Sequence, residues 1–382
     1  MLFSLARKRI ESGGWTRQVT ARELPISTTI AGVEIRLTAG GVRELHWHVT
    51  AEWSIMLYGN ARITAVDRDG KSFVSDVGEG DLWLFPAGVP HSIQGLGPDG
   101  CKFLLVFDDG NFDEFQTFLI TDWLAHTPKE VLAKNFNVAA DTFDNVPKKE
   151  LFIFQTELPG DLKQEQNQAA EGTGTVPQRF DFKPSGMKPT KVTAGGEVKI
   201  IDSKIFPVTP IAAAIVRLKP GGLRELHWHP NQDEWQYYIS GKGRMTVFEA
   251  GARARRLDFE EGDVGYVLQS NPHYIENTVT AICCSWRCSK AITMKTSLWR
   301  NGWRIHHIFW STNTCTWDKR CSVQSQKKKK LSHLNEYGNV IENCDGIKGL
   351  ERRRRPSLFQ QIRKQTHGKP ETVEVSPPSG KN

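Results

Sequence analysis

The sequence predicts an all-β protein built from two copies of one domain, and three observations support this prediction. Residues 36–59 (RLTAGGVRELHWHVTAEWSIMLYG) recur as residues 217–241 (RLKPGGLRELHWHPNQDEWQYYISG), at an offset of 181 that becomes 182 after the histidines. A second block, residues 78–95, recurs at residues 260–277. Each copy also consists of short apolar runs separated by Gly, Pro and Asp, which is typical of β-strands and turns. A chain of 382 residues is long enough for two such cores.

The strands are expected to form a β-sandwich or barrel such as a jelly roll. Residues 61–77 (ARITAVDRDGKSFVSDV) predict two strands around an Asp-Gly turn, and residues 243–259 predict the same hairpin in the second copy. Short helices connect the copies. Residues 121–133 predict one helix in which Thr127 caps the start, with Pro128 at the first helical position.

Composition indicates a globular chain, with 38% hydrophobic and 24% charged residues. The net charge of +7 is misleading, because residues 279–382 hold 20 Lys and Arg against 7 Asp and Glu. Residues 1–278 hold 30 against 36, so the body is acidic and a nucleic-acid partner is not expected. Six of the seven cysteines also lie in the tail, without metal-ligand spacing, and Cys101 is alone in the body.

Two sets of histidines with a glutamate predict metal sites. In an HxH sequence on a strand, both imidazoles project from one face, because side chains alternate with a period of two. Three His and one Glu without a thiolate suit an octahedral divalent ion such as Mn or Fe, with two positions open. The alternative is an aromatic-rich strand whose histidines have structural partners. The predicted ligands are His46, His48, Glu52 and His91 in the first copy, and His227, His229, Glu234 and His273 in the second.

These residues fall in two motifs that resemble those of the cupin family, G-x5-H-x-H-x3–4-E-x6-G and G-x5-P-x-G-x2-H-x3-N. The first copy has Gly95 in place of the last Asn, and the second has Leu268 and Ser270 in place of Pro and Gly. The stretches RELHWH, LLVFDDGNF and TDWLAHTPKEV make residues 3–278 similar to bicupin oxalate decarboxylases. The resemblance implies a duplicated cupin, with a double-stranded β-helix (jelly-roll) barrel in each copy and short connecting helices.

The resemblance also implies an activity. Such a lyase would decarboxylate oxalate to formate and CO₂, with up to two Mn²⁺ ions, one in each domain, and O₂ as cofactor. Arg43 would bind the far carboxylate of oxalate, and Arg224 is its counterpart in the second copy. Glu114, in a lid at residues 113–117, would be the catalytic general acid, and Arg43 is the other residue expected to be catalytic. An oxalate oxidase that releases peroxide, or a non-catalytic metal-binding bicupin, are the alternatives.

The expected domains are an N-terminal cupin over residues 1–150 and a C-terminal cupin over residues 151–285 that has lost its closing strand. Residues 286–382 are expected to be an aberrant, basic and disordered tail. Read one base out of register, residues 286–307 can spell LEVFKGDHYEDVSLAEWMANPP, which is similar to family sequence. We therefore hypothesise a one-base frameshift after Thr278, which sequencing of the transcript tests, and the basic runs at residues 327–330 and 352–355 then have no binding role.

The remaining expectations concern partners and compartment. The substrate is oxalate, no membrane partner is expected because no apolar run approaches about 20 residues, and self-association into a homo-oligomer is implied by the family. No signal peptide is evident in residues 1–14 (MLFSLARKRIESGG), which favours the cytoplasm. A preceding segment that carried a signal would instead direct secretion.

Overall fold

The computed structural model describes residues 3–300 and 304–308. Most of the predicted disordered tail therefore lies outside the described residues. Within the described part of the chain, no helix has both the length and the apolar character needed to cross a membrane.

The N-terminal domain is a pair of facing β-sheets. Strand order is β1-β2-β3-β10-β5-β8-β13 in the first sheet and β11-β4-β9-β6-β7 in the second, where β12 also pairs with β4. Its strands are β1 Lys8–Glu11, β2 Gly14–Val19, β3 Ala31–Leu37, β4 Gly41–Trp47, β5 Glu52–Gly59, β6 Ala61–Val66, β7 Ser72–Val77, β8 Leu82–Phe85, β9 His91–Gly95, β10 Cys101–Phe107, β11 Phe118–Leu119, β12 Ile153–Gln155 and β13 Asp181–Phe182.

The C-terminal domain repeats this arrangement. Its sheets have the orders β14-β15-β16-β23-β18-β21 and β20-β19-β22-β17-β24-β25. Its strands are β14 Lys191–Thr193, β15 Gly196–Ile201, β16 Ala212–Leu218, β17 Leu223–Trp228, β18 Glu234–Ser240, β19 Lys242–Glu249, β20 Arg253–Glu260, β21 Val264–Val267, β22 His273–Asn277, β23 Cys283–Ser289, β24 Thr296–Arg300 and β25 Arg304–Ile308. The prediction of a duplicated all-β cupin fold with short helices is confirmed.

The central strands of the first sheet of the N-terminal domain are buried on both faces. In β3 and β10, both at the centre of a sheet, nearly every residue is buried, because one face covers the barrel interior and the other packs on the second domain. The cluster between the domains includes Trp53, Leu104, Trp235 and Trp286. Each domain thereby contributes one sheet to a shared apolar interface.

The helices follow β11 in the chain and are short: α1 Ile120–Ala125, α2 Lys129–Phe136 and α3 Leu162–Ala169. Single 3₁₀ turns occupy Phe3–Leu5, Glu114–Gln116, Ala140–Phe143 and Pro184–Gly186. The prediction of one helix with a capping box at Thr127 is wrong. The Thr127 hydroxyl donates to the carbonyl of Trp123 in the preceding helix, and α2 begins after Pro128 without a side-chain cap hydrogen bond.

The domain boundary predicted at residue 150 is also wrong. Strand β12 pairs with β4, and β13 pairs with β8, so both belong to the N-terminal domain. Helix α3 packs on the same domain, where the Gln166 side chain donates to the carbonyl of Val74. Composition does not assign this segment to the first domain, because its contacts are pairings with strands about 100 residues earlier.

The expectation that the closing strand of the second barrel is lost is wrong as well. Residues Cys283–Ser289 form β23, which pairs with both β16 and β18, as β10 does with β3 and β5. All seven residues of β23 are buried. Small Cys and Ser side chains flank Trp286 and Arg287 and fit both faces of the sheet, so the segment closes the barrel.

Candidate metal centres and lid

The first candidate site lies inside the N-terminal barrel, where three strands meet. His46 at the end of β4 is the cross-strand partner of His91 at the start of β9, and Glu52 begins β5. His48 follows β4 at the spacing that keeps it on the same face as His46. One ligand atom from each of these four residues lies within 4.8 Å of the others, and all four side chains are buried.

The imidazoles are oriented by backbone carbonyls. Nδ1 of His46 lies 2.6 Å from the carbonyl oxygen of Glu44, Nδ1 of His48 lies 2.7 Å from that of Thr50, and Nδ1 of His91 lies 2.8 Å from that of Val89. An Nδ1–H donated to a carbonyl leaves Nε2 as an unprotonated ligand atom.

The electrostatics also suit a cation at this first site. Burial lowers the pKa of His46 and of His91, and nearby Arg43 adds to the shift of His46. The imidazoles of His48 and His91 hold the pKa of Glu52 far below its usual range, despite its burial. Nε2 of His91 is buried without a hydrogen-bond partner. His46 and His91, whose lowered pKa values favour the neutral ring, and the ionised Glu52 are donors that suit a divalent metal.

The lid residue Glu114 lies fully buried against Arg43. Arg43 Nε donates to Glu114 Oε1 at 2.8 Å, and the two side chains are each 1% exposed. The other oxygen, Oε2, is buried and has no hydrogen-bond partner. Burial raises the pKa of Glu114, although Arg43 opposes that shift. A buried carboxyl with one free oxygen and a raised pKa can hold a proton inside the site.

Several residues that sequence reasoning missed hold this pair in place. Arg43 Nη2 donates to the Thr117 hydroxyl at 2.9 Å, and Nη1 donates to the carbonyl of Phe152 at 3.3 Å. The Glu114 backbone N–H donates to Gln18 Oε1 on β2 at 2.8 Å. Thr117 stands in the lid sequence and could have been singled out there, whereas nothing around Gln18 in the sequence signals a contact 96 residues away.

Glu44, the residue after Arg43 on β4, binds two segments next to the site. One of its carboxylate oxygens accepts hydrogen bonds from the backbone N–H and hydroxyl of Thr121, and the other accepts from the backbone N–H groups of Leu151 and Phe152. This buried carboxylate thus ties the start of α1 and the segment before β12 to the strand that bears Arg43 and His46.

The second candidate site has the same ligand geometry. His227 pairs across the strands with His273, and Glu234 begins β18. The ligand atoms of His227, His229, Glu234 and His273 lie within 4.8 Å of one another, and all four residues are buried. Nδ1 of His229 lies 2.8 Å from the carbonyl oxygen of Lys295, which belongs to the basic segment after β23.

The surroundings of the second site differ from those of the first. Glu234 Oε1 accepts a hydrogen bond at 3.0 Å from Arg287 Nη1 on β23. Arg224 and Arg287 together line a cavity of about 40 Å³ beside His229 and Glu234. Burial, with the charge of Arg287, lowers the pKa of Arg224 to about 10. Arg224 therefore faces a second cation, whereas its counterpart Arg43 faces a carboxylate.

The two barrels and their two ligand sets define a bicupin with paired metal centres. The sequence signature of the cupin family matches residues 2–144 and 182–286. The chain is 54% identical over 277 residues to oxalate decarboxylase OxdC of Bacillus subtilis (strain 168), which covers 72% of this chain and 71% of the relative. A probable oxalate decarboxylase of Arthroderma benhamiae is 44% identical over 278 residues, covering 72% of this chain and 68% of that protein.

Solved structures give the same result. A structure of Bacillus subtilis oxalate decarboxylase from a study of its Mn(II) centres superposes with a TM-score of 0.75 at 50% identity, covering 78% of each chain. The formate complex of Lactobacillus farciminis oxalate decarboxylase has a TM-score of 0.75 at 47% identity, covering 78% of this chain and 87% of that one. The chain belongs to the cupin family and, within it, to the bicupin oxalate decarboxylases.

The structure thus brings all eight predicted ligands together in two clusters, and it places Arg43 and Glu114 in direct contact beside the first. Arg224 lies beside the second cluster, as its position in the repeat predicts. The roles of these residues as ligands, acid and substrate-binding groups stay predictions.

Proposed function

We propose that the chain decarboxylates oxalate to formate and CO₂ at the N-terminal site, with Mn²⁺ there and O₂ as cofactor. The observation that supports this proposal is the buried pair of Arg43 and Glu114, in which the carboxyl group keeps one free oxygen inside the barrel. Family membership supports the substrate, since the relatives are oxalate decarboxylases.

His46, His48, Glu52 and His91 would hold the metal, since they offer three neutral imidazoles and one carboxylate at one point. Mn²⁺ bound by them would supply a Lewis-acidic and redox-active centre for oxalate. Glu234 and its three histidines offer a second set, so that up to two ions per chain are possible.

Arg43 would neutralise the charge of the oxalate dianion. A guanidinium has five N–H donors, and the partners of Arg43 (Glu114, Thr117 and the carbonyl of Phe152) take three of them. Two donors are left for the far carboxylate. The Phe152 ring lies 4.3 Å from the guanidinium carbon and restricts its position, so that the donors point in a defined direction.

Glu114 would deliver the proton. Loss of CO₂ breaks the carbon–carbon bond of oxalate, and the remaining one-carbon fragment needs one proton on carbon to become formate. The raised pKa of Glu114 keeps its carboxyl protonated at a higher pH than an exposed glutamate. After proton transfer, the carboxylate is stabilised by Arg43 at 2.8 Å.

Product analysis tests this function. Purified Mn-loaded protein is given oxalate in air at mildly acidic pH, and formate and peroxide are measured together; a parallel run without O₂ tests the cofactor. We expect formate with little peroxide in air. Abundant peroxide would identify an oxalate oxidase instead, and metal uptake without either product would indicate a non-catalytic bicupin.

The variant Glu114→Gln, compared with Glu130→Gln on the exposed face of α2, locates the proton donor. We expect formate production to fall about 10²- to 10⁴-fold in the first variant and to be unchanged in the second. Metal content should be the same in both. An equal loss in both variants would contradict the assignment of Glu114.

Self-association and cellular compartment stay predictions from the family. Light scattering on the purified chain measures the first, and we expect a homo-oligomer. Cell fractionation of the source organism addresses the second, for which the expectation is cytoplasmic unless a preceding segment directs export.

A further inference from the structure

We propose that Arg287 makes the C-terminal centre a much weaker divalent-cation site than the N-terminal centre, so that the chain binds one ion tightly and a second only weakly. The inference rests on the metal-binding part of the proposed function and not on the decarboxylation. The ligand sets are alike, so the difference comes from one buried cation.

Arg287 lies on β23 with 2% of its surface exposed. Its Nη1 donates to Glu234 Oε1 at 3.0 Å, and its Nε and Nη2 lie 3.3 Å from the Ser285 hydroxyl. An arginine does not lose its charge in a protein. The guanidinium is therefore a fixed positive charge in direct contact with the only carboxylate of this ligand set.

The N-terminal domain shows what the same position contains without this charge. Strand register aligns Arg287 with Leu105, since β10 pairs Leu105 with Val33 and Ser54 while β23 pairs Arg287 with Ala214 and Gln236. The carboxylate of Glu52 accepts a hydrogen bond from the neutral hydroxyl of Ser54 at 3.1 Å. Leu105 is apolar and buried, so no positive charge at this position competes with a metal ion for Glu52.

Charge accounts for the expected difference in affinity. At the first site the nearby cation Arg43 donates its Nε hydrogen bond to Glu114 and not to the ligand Glu52. At the second site Arg224, Arg287 and Lys191 line the cavity, and Glu234 is the single acidic residue of that lining. Lys191 is paired with Glu225 at 3.6 Å, which leaves the two arginines. An incoming divalent ion would meet two fixed positive charges at low dielectric, where repulsion is strong. The salt bridge occupies Glu234 Oε1, while Oε2 lies 2.8 Å from His229 Nε2, so the positive charge is in contact with a ligand side chain.

The experiment isolates the second site in the full-length chain. The variant His91→Ala removes a ligand of the first site, and Mn²⁺ binding is then titrated by calorimetry and by electron paramagnetic resonance. In this background we compare Arg287→Leu, the residue type of the first domain, with Arg287→Gln, which keeps a hydrogen-bond donor, and with Arg287→Lys, which keeps the charge.

We expect Leu and Gln at position 287 to tighten Mn²⁺ binding about tenfold or more, and Lys to leave it weak. The Gln variant provides the result if the Leu variant does not fold, and thermal unfolding of each variant identifies such a case. In the unaltered chain, metal analysis after dialysis should give one ion per chain.

Two results would overturn the proposal. Tight binding of two ions by the unaltered chain would show that Arg287 does not weaken the second site. If Mn²⁺ binding at the second site stayed weak after Arg287→Gln while the first site of the parent chain bound Mn²⁺ tightly, Arg287 would not be the cause of the low affinity. If no variant and no parent chain binds Mn²⁺, the metal part of the proposed function falls with this proposal.

Discussion

The two barrels of this chain hold the same three histidines and one glutamate in the same geometry, yet the charged residues beside the two sites differ. Beside the first site, the segment between β10 and β11 places the acid Glu114 against Arg43. Beside the second site, the shorter segment between β23 and β24, residues 290–295 (KAITMK), contains no acid. Arg224 there faces another cation, Arg287.

This contrast separates metal binding from catalysis. The ligands stand on paired strands, whose alternation fixes where each side chain points. The groups that would select a reaction stand on the connecting segment and on a central strand. A duplicated barrel can therefore keep two ligand sets while only one of them has a proton donor.

The largest expected effect comes from removing a ligand of the first site. His91→Ala should reduce formate production to background, because a site with two histidines and one carboxylate loses both metal affinity and geometry. The matched change at the second site, His273→Ala, should leave formate production per bound ion at the first site nearly unchanged. Equal losses in the two variants would show that both sites are needed for turnover.

The next effect concerns Arg43. Arg43→Lys keeps the charge but loses the fork that contacts Glu114, Thr117 and the carbonyl of Phe152. We expect kcat/KM for oxalate to fall about 10- to 100-fold, because hydrogen bonds to a charged group are lost. The counterpart Arg224→Lys at the second site is the control, and a similar fall there would break the contrast between the sites.

The pH profile sharpens the same contrast. Burial raises the pKa of Glu114 above that of an exposed glutamate, although the charge of Arg43 opposes the shift. The protonated acid therefore persists to higher pH, and formate production should decline as pH rises through the raised pKa. For stability, burial favours the neutral form, so this contribution is also lost as pH rises through that value. If the remaining activity of the Glu114→Gln variant had the same pH profile as the parent chain, the assignment of Glu114 would be contradicted.

A smaller effect tests β23 as a structural strand. Trp286 is fully buried between the domains, and Trp286→Ala should lower the free energy of unfolding by about 3–5 kcal/mol. Chemical denaturation measures this change. A loss well below 1 kcal/mol, on the order of a surface substitution, would contradict the packing of this strand in the interface.

The sequence by itself determined the duplicated β fold and both ligand sets. Three of the four ligands in each set are local, since the HxH and Glu lie within eight residues, and the repeat of the motifs 181 to 182 residues later marks the second copy. Tertiary structure decided what lies beside the ligands. The contact of Arg43 with Glu114 spans 71 residues and that of Arg287 with Glu234 spans 53, and strand pairing sets both.

The same physical reason explains the errors in the boundary and in the closing strand. Strands β12 and β13 join the first domain through pairing with β4 and β8, which no local composition reveals. Strand β23 forms from a segment with little resemblance to the family, because a central strand mainly needs side chains that fit its two buried faces. The local sequence pattern therefore predicts the ligands, and long-range strand pairing determines which residues lie beside them.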